Sequence, residues 1–209
     1  MPSSVGGPLR QIASQPSSTA FHCCELCAAP LAAGHEHLVE PSSGKVLCAC
    51  GACSILFTSS TSARYKRVPR RARILDRIDD GGELWASLSI PVDLVFFFLS
   101  SPSNRVLAIH PSAGGPTSAE IDPAAWARVV EACPAAGALD ADVEALLVHR
   151  RGGSHEGFLA PIDQCYELVG LVRVNWRGFS GGPELPSAID RFFERLRRNA
   201  EAVREVQHA

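Results

Sequence analysis

HCCELCAAPLAAGHEHLVEPSSGKVLCACGACSILF, residues 22–57, holds six of the eight cysteines in this 209-residue chain. Cys24 and Cys27 form one CxxC pair, Cys50 and Cys53 a second, and residues 28–49 separate them. Thiolates two residues apart let a tight turn aim both sulfurs at one point, so two such turns can close a tetrahedron around a single ion. This is zinc-ribbon spacing. Gly51 offers backbone freedom where the second turn must bend. Between the pairs, Leu38 and Val39 belong to one strand and Lys45, Val46 and Leu47 to the next, with the turn at 41–44 and the metal at the opposite end. So small a hairpin buries little apolar area. The ion would supply its folding energy, on the order of 10 kcal/mol or more.

Several alternatives to the set Cys24, Cys27, Cys50 and Cys53 stay open at this level. Cys48 forms a CxC with Cys50 and is a replacement ligand, Cys23 adjoins Cys24, and His22, His35 and His37 are near in sequence. Six thiols are enough for an iron–sulfur cluster, and a tetrahedral S4 site takes rubredoxin-like iron as readily as Zn2+. Without a metal, the same residues would be buried or disulfide-bonded thiols. Four ligands on one ion is the simplest arrangement and leaves Cys23 and Cys48 as flanking or core residues.

The chain is 46% hydrophobic and 20% charged, with enough material for a sizeable core. Its longest apolar run, 92–99, contains Asp93 and is less than half the length of about 20 residues that a bilayer requires. No membrane span is expected. Residues 1–20 are rich in Ser, Pro and Gly without the basic and apolar regions of a secretory signal, and read as a disordered leader. Metal-binding thiolates persist where glutathione keeps them reduced, so the protein reads as cytoplasmic. Charge is unevenly placed: RYKRVPRRARILDR, residues 64–77, carries seven basic groups and one acid, whereas 78–149 carries ten acids and two arginines. A basic strip beside a ribbon raises nucleic-acid binding as a reading. The acidic segment could instead neutralise the strip inside the fold.

The ribbon unit spans 21–57, a Ser/Thr joint follows at 58–62, and an α+β domain covers 63–200. In that domain 64–68 reads as a strand and a short helix after Asp80 uses Leu84, Trp85 and Leu88. Residues 92–99 read as a central strand covered on both faces, paired through the turn at 101–104 with 106–110. Asp122 is a helix N-cap with Pro123 at the first helical position and Ile121 stapled to Trp126. Residues 143–149 and 158–162 form a second hairpin, and Asp163 caps a further helix with Tyr166, Val169, Val172 and Trp176 on one side, although 171–174 would also suit a strand. The pattern Leu185, Ile189, Phe192, Leu196 predicts an amphipathic helix to the end of the chain, residues 201–209 being its tail. The fold expected is α+β: an N-terminal zinc ribbon, then a mostly antiparallel sheet of about five strands packed with three to four helices.

Other chemistry-bearing residues have structural explanations. Asp93 begins a strand expected to be buried and so requires an arginine from the basic strip. His110 and His149 end strands without a nucleophile at a spacing that completes a triad. His155 and Glu156 belong to an exposed glycine-rich loop. GFSGG at 178–182 lacks the GxGxxG order and serves better as a helix terminus and joint. Cys133 and Cys165 read as small core residues. No catalytic set emerges.

Taken together, CELC, CACGAC, IPVDLVFFF, ALLVHR, PIDQCYELVGLVRVNWRGFSGG and DRFFERLR resemble an uncharacterised family of bacterial zinc-ribbon-like proteins often encoded in the operons of uptake nickel–iron hydrogenases. The resemblance covers about residues 22 to 198. Cys24, Cys27, Cys50 and Cys53 match its paired pattern and Cys48 its CxC, while Cys23 is particular to this chain. The resemblance implies a neighbourhood, hydrogenase assembly, maturation or electron transfer, and no activity. The expected function is a non-enzymatic zinc-binding accessory protein that docks on a protein partner, a hydrogenase subunit or maturation factor. A rubredoxin-like iron electron carrier and a nucleic-acid-binding ribbon protein are the alternatives.

Overall fold

The computed structural model describes residues 22–59, 64–75, 93–151, 154–178 and 181–202. The leader at 1–20, the helix expected after Asp80 and residues 203–209 of the tail lie outside the described residues. Strands β1 (Glu36–Glu40), β2 (Lys45–Ala49) and β3 (Lys66–Arg67) form one sheet in the order β2-β1-β3, and helix α1 (Gly51–Leu56) follows β2. A second sheet contains β4 (Arg73–Leu75), β5 (Leu94–Ser100), β6 (Arg105–Ser112), β7 (Gly115–Glu120), β8 (Glu144–Arg151), β9 (Ser154–Pro161) and β10 (Glu201–Ala202), ordered β10-β4-β9-β8-β5-β6-β7. Three further α-helices, α2 (Pro123–Ala132), α3 (Ile162–Asn175) and α4 (Glu184–Asn199), and a short 3-10 helix at Pro134–Ala138 complete the regular structure among the described residues. The class is α+β with mostly antiparallel pairing, but with more strands than the five or so expected.

Strand β5 explains the layering. Val95, Phe96 and Phe97 are all at most 3% exposed. Successive side chains leave a strand on opposite faces, so Phe96 joins α3 and α4 in one core while Phe97 joins α2 in the other. Burial on both faces is why this run shows no polar alternation. Helix α2 begins as expected: Asp122 Oδ1 accepts the N–H groups of Ala124 at 2.9 Å and Ala125 at 3.2 Å, and Ile121 and Trp126 pack on the same core.

Three expectations are corrected. Asp163 is not the cap of α3, because the helix starts one residue earlier after Pro161, and Asp163 lies in the first turn with its carboxylate turned to His37. The C-terminal helix ends at Asn199, and Glu201–Ala202 leave it as β10 to pair in parallel with β4. Asp93 is exposed; its carbonyl accepts the Arg150 N–H at 2.7 Å, so burial imposes no need for an arginine there.

The strand expected over 64–68 forms as β3, yet it hydrogen-bonds to β1 of the cysteine unit and not to the large sheet. Val39 of β1 and Val68 beyond β3 then enter the core beneath α3 and α4. Lys66 Nζ reaches Asp142 Oδ2 at 2.7 Å and the Ala141 carbonyl at 3.1 Å, linking the two sheets. Other basic residues of the strip are also paired: Arg64 with Glu40, Arg67 and Arg70 with Glu36, and Arg73 with Glu144.

Glu36 is 7% exposed and its carboxyl is held below the ordinary glutamate range, chiefly by the Arg67 hydrogen bond, against the opposing effect of burial. A lowered folded pKa means that the stabilisation is complete above the unfolded value, about 4.3, and is lost as pH falls through the folded one. Glu36→Gln should cost about 1–2 kcal/mol at pH 7, since both arginines are half-exposed and recover water. In urea titrations the wild type should converge on the variant as pH falls from 5 towards 3. A gap that is constant with pH would refute the assignment.

Candidate metal centre

The first turn of the cysteine unit is built by local hydrogen bonds. Cys24 donates its N–H to the Ala29 carbonyl and accepts from Ala28 N–H, both at 2.8 Å, and Cys23 bridges Pro30. Ala28, at φ 60, supplies the left-handed residue that turns the chain directly after Cys27. Glu25 fastens the turn to β2: its carboxylate accepts Cys48 N–H at 2.7 Å and pairs with Lys45 at 3.0 Å.

The second pair is placed differently from a matching turn. Cys50 is the N-cap of α1 and its sulfur accepts the Cys53 N–H at 3.4 Å, so both sulfurs project from the first turn of a helix. Gly51 therefore occupies an ordinary helical position. Its conformational freedom is not what the site uses.

Cys24, Cys27, Cys50 and Cys53 bring four Sγ atoms within 4.8 Å of one another. Cys27 and Cys50 are 3.8 Å apart. Zinc–sulfur bonds of about 2.3 Å give a regular tetrahedron an edge of about 3.8 Å, so the quartet fits one ion. A disulfide would require about 2.05 Å, and none of the eight cysteines is joined in one. Cys24 and Cys53 are buried, Cys27 is exposed, and Leu38 and Ala49 pack behind them.

Burial pushes the Cys24 thiol up, but the backbone N–H groups of Cys50, Leu26 and Cys27 outweigh it and bring the value down to about 6. Cys53 is pushed up to about 12 by burial and by hydrogen bonds with the sulfurs of Cys27, Cys50 and Cys24. One ready anion beside crowded thiols is a donor set that a soft or borderline cation completes by displacing the remaining protons.

Cys48 does not join this quartet. It lies instead with His35 and His37, whose donor atoms and the Cys48 sulfur are within 4.8 Å of one another. Outside the cysteine unit, His155 and Glu156 are half-buried in β9 and do not form the exposed loop expected. His149 stacks on Phe193 at 4.4 Å, Glu156 pairs with Arg197, and Cys133 and Cys165 are buried in the two cores. Gly178, Gly181 and Gly182 all have positive φ, as the joint between α3 and α4 requires.

A cavity of about 190 Å³ at the junction of the two sheets is lined by Val39, Phe98, Leu107, Ile162, Tyr166 and Asp142. Its lining is mostly apolar; the polar groups come from Ser100, Tyr166 and the Asp142 carboxylate that Lys66 holds. No helix among the described residues is long and apolar enough to cross a membrane.

No curated protein and no solved structure matches this chain. A protein-family model does, over residues 23–200, which takes in the cysteine turns, the four α-helices and every strand but β10. The chain therefore belongs to that family, one of unknown function (DUF5947).

Proposed function

We propose that this protein is a non-enzymatic accessory factor whose N-terminal unit is held together by one zinc ion on Cys24, Cys27, Cys50 and Cys53, and which docks on a protein partner. The mutual approach of the four sulfurs carries this reading. All four tetrahedral positions are filled from the chain, leaving no place for substrate or activated water, which is the pattern of a structural site. Docking is supported by Ile55, Leu56 and Phe57, which are 66%, 68% and 41% exposed on and just after α1, next to the Cys53 vertex. The family resemblance supports a nickel–iron hydrogenase subunit or maturation factor as the partner.

The test is elemental analysis and a visible spectrum of the native protein, followed by capture from cells producing a hydrogenase. A colourless protein that loses one zinc equivalent in Cys53→Ser, and whose capture of a hydrogenase component is abolished by Leu56→Asp, is the expected result. A red protein with charge-transfer bands bleached by reductant would instead identify a rubredoxin-like electron carrier. Zinc protein that captures no hydrogenase component would refute the partner. The pairing of Arg64, Lys66, Arg67, Arg70 and Arg73 with carboxylates weighs against the nucleic-acid alternative.

A further inference from the structure

His35 directly precedes β1 and His37 is its second residue, so in extended chain their side chains leave the same face of the hairpin. Cys48 is the residue directly opposite His37 in the β1–β2 register, which puts its sulfur on that face too. The result is a cluster of two imidazoles and one thiol with donor atoms within 4.8 Å.

The Nδ1 atoms of both rings are already engaged. His37 Nδ1 is 2.6 Å from Asp163 Oδ2, and His35 Nδ1 is 3.1 Å from the Ala32 carbonyl oxygen. An imidazole that donates Nδ1–H to a carboxylate or carbonyl presents the lone pair of Nε2, the arrangement that orients metal-bound histidines. His35 Nε2 is buried and finds no hydrogen-bond partner among the described residues. Leaving such an acceptor unsatisfied is costly unless a ligand takes its lone pair. A cavity of about 200 Å³ lined by His35, His37, Asp163 and Arg70 adjoins the cluster and has room for one exogenous ligand.

We propose that His35, His37 and Cys48 form a second metal site, separate from the cysteine quartet, that binds one divalent first-row transition ion and keeps a fourth position open to water or an exogenous ligand. Two nitrogens and one sulfur suit zinc, cobalt or nickel better than calcium or magnesium, which require oxygen ligands. Three protein ligands with a vacancy distinguish this site from the closed quartet beside it. Asp163 is a positioning residue, acting through His37.

Cobalt(II) is the probe, because tetrathiolate and mixed nitrogen–sulfur coordination give different visible spectra. Titrating the metal-stripped full-length chain should give two equivalents bound, with two separable spectra. Cys48→Ala and His35→Gln should each bind one equivalent and retain the tetrathiolate spectrum, which also reports that the variant is folded. Asp163→Ala should still bind two, with the affinity for the mixed site about 10- to 100-fold weaker. A wild type that binds a single equivalent with a pure tetrathiolate spectrum overturns the proposal, as does an unchanged second equivalent in both Cys48→Ala and His35→Gln. Loss of the tetrathiolate spectrum with retention of the mixed one would remove the quartet reading and leave this site standing.

Discussion

Chelating the metal, or replacing Cys53 by Ser, is expected to unfold the cysteine unit while the seven-stranded sheet stays folded. The reason is the size of the core behind the quartet. Its buried members are Cys24, Leu38, Ala49 and Cys53, and two of those four are proposed ligands. Burying one Leu side chain contributes about 2 kcal/mol, which cannot offset the entropy of ordering a hairpin and two turns at about 1–2 kcal/mol per residue. A structural zinc on the proposed site would supply about 10–16 kcal/mol, and that energy would be folding energy. Amide exchange checks the prediction directly. The amides paired between β1 and β2, from Glu36 with Ala49 to Glu40 with Lys45, should lose protection on chelation, whereas those of β5 and β8 should keep theirs. Cys23→Ser, outside the quartet, should behave as wild type. Unchanged protection of the β1–β2 amides after the metal has been removed would show that the unit folds on packing alone. A smaller effect should reach the large domain, because Val39 and Val68 are lent to its core and become exposed.

What could be read from the chain divides along physical lines. The quartet was legible because ligand spacing is a local property, and two CxxC pairs leave few ways to satisfy four thiolates. The same holds for the capped start of α2 and for β5, whose uninterrupted apolar run requires cover on both sides. Strand β7 was not legible: GPTSAE buries only its first residue and is held by backbone pairing to β6, which leaves no pattern in the side chains. Strands β3 and β10 are two residues long, too short to carry a period. Asp163 could be placed near a helix start, but its partner His37 is 126 positions away, a contact that only the fold creates. The second cluster had a signal that went unused. A four-residue turn at 41–44 pairs Glu40 with Lys45, and counting back along both strands sets His37 opposite Cys48.

Phe193→Ala is expected to produce the largest loss of stability in the large domain. Helix α4 has no side-chain cap at its N-terminus, where Pro183 precedes it, so local capping contributes little. Arg197 and Arg198 in its last turn favour the helix dipole by only tenths of a kcal/mol each at the surface. Its attachment rests on the buried face formed by Leu185, Ala188, Phe192, Phe193 and Leu196. Phe193 is fully buried, stacks on His149 of β8 with an interplanar angle of 9°, and meets Phe158 of β9 and Phe192 of its own helix. Truncating it removes the ring and leaves a cavity between a helix and two central strands that cannot collapse together, at a cost of about 3–5 kcal/mol. That is a large part of the roughly 5–15 kcal/mol available to a domain. By contrast, Arg195→Ala breaks an exposed pair with Glu167 and should cost less than about 1 kcal/mol. Urea titration of the two variants separates burial from surface charge as the force that holds α4. If Phe193→Ala shifted stability by no more than Arg195→Ala, the helix would be anchored by something other than its aromatic face. Because α4 also delivers the chain to β10 at the edge of β4, the Phe193 variant should lose protection at Arg73 and Ile74 before the centre of the sheet responds.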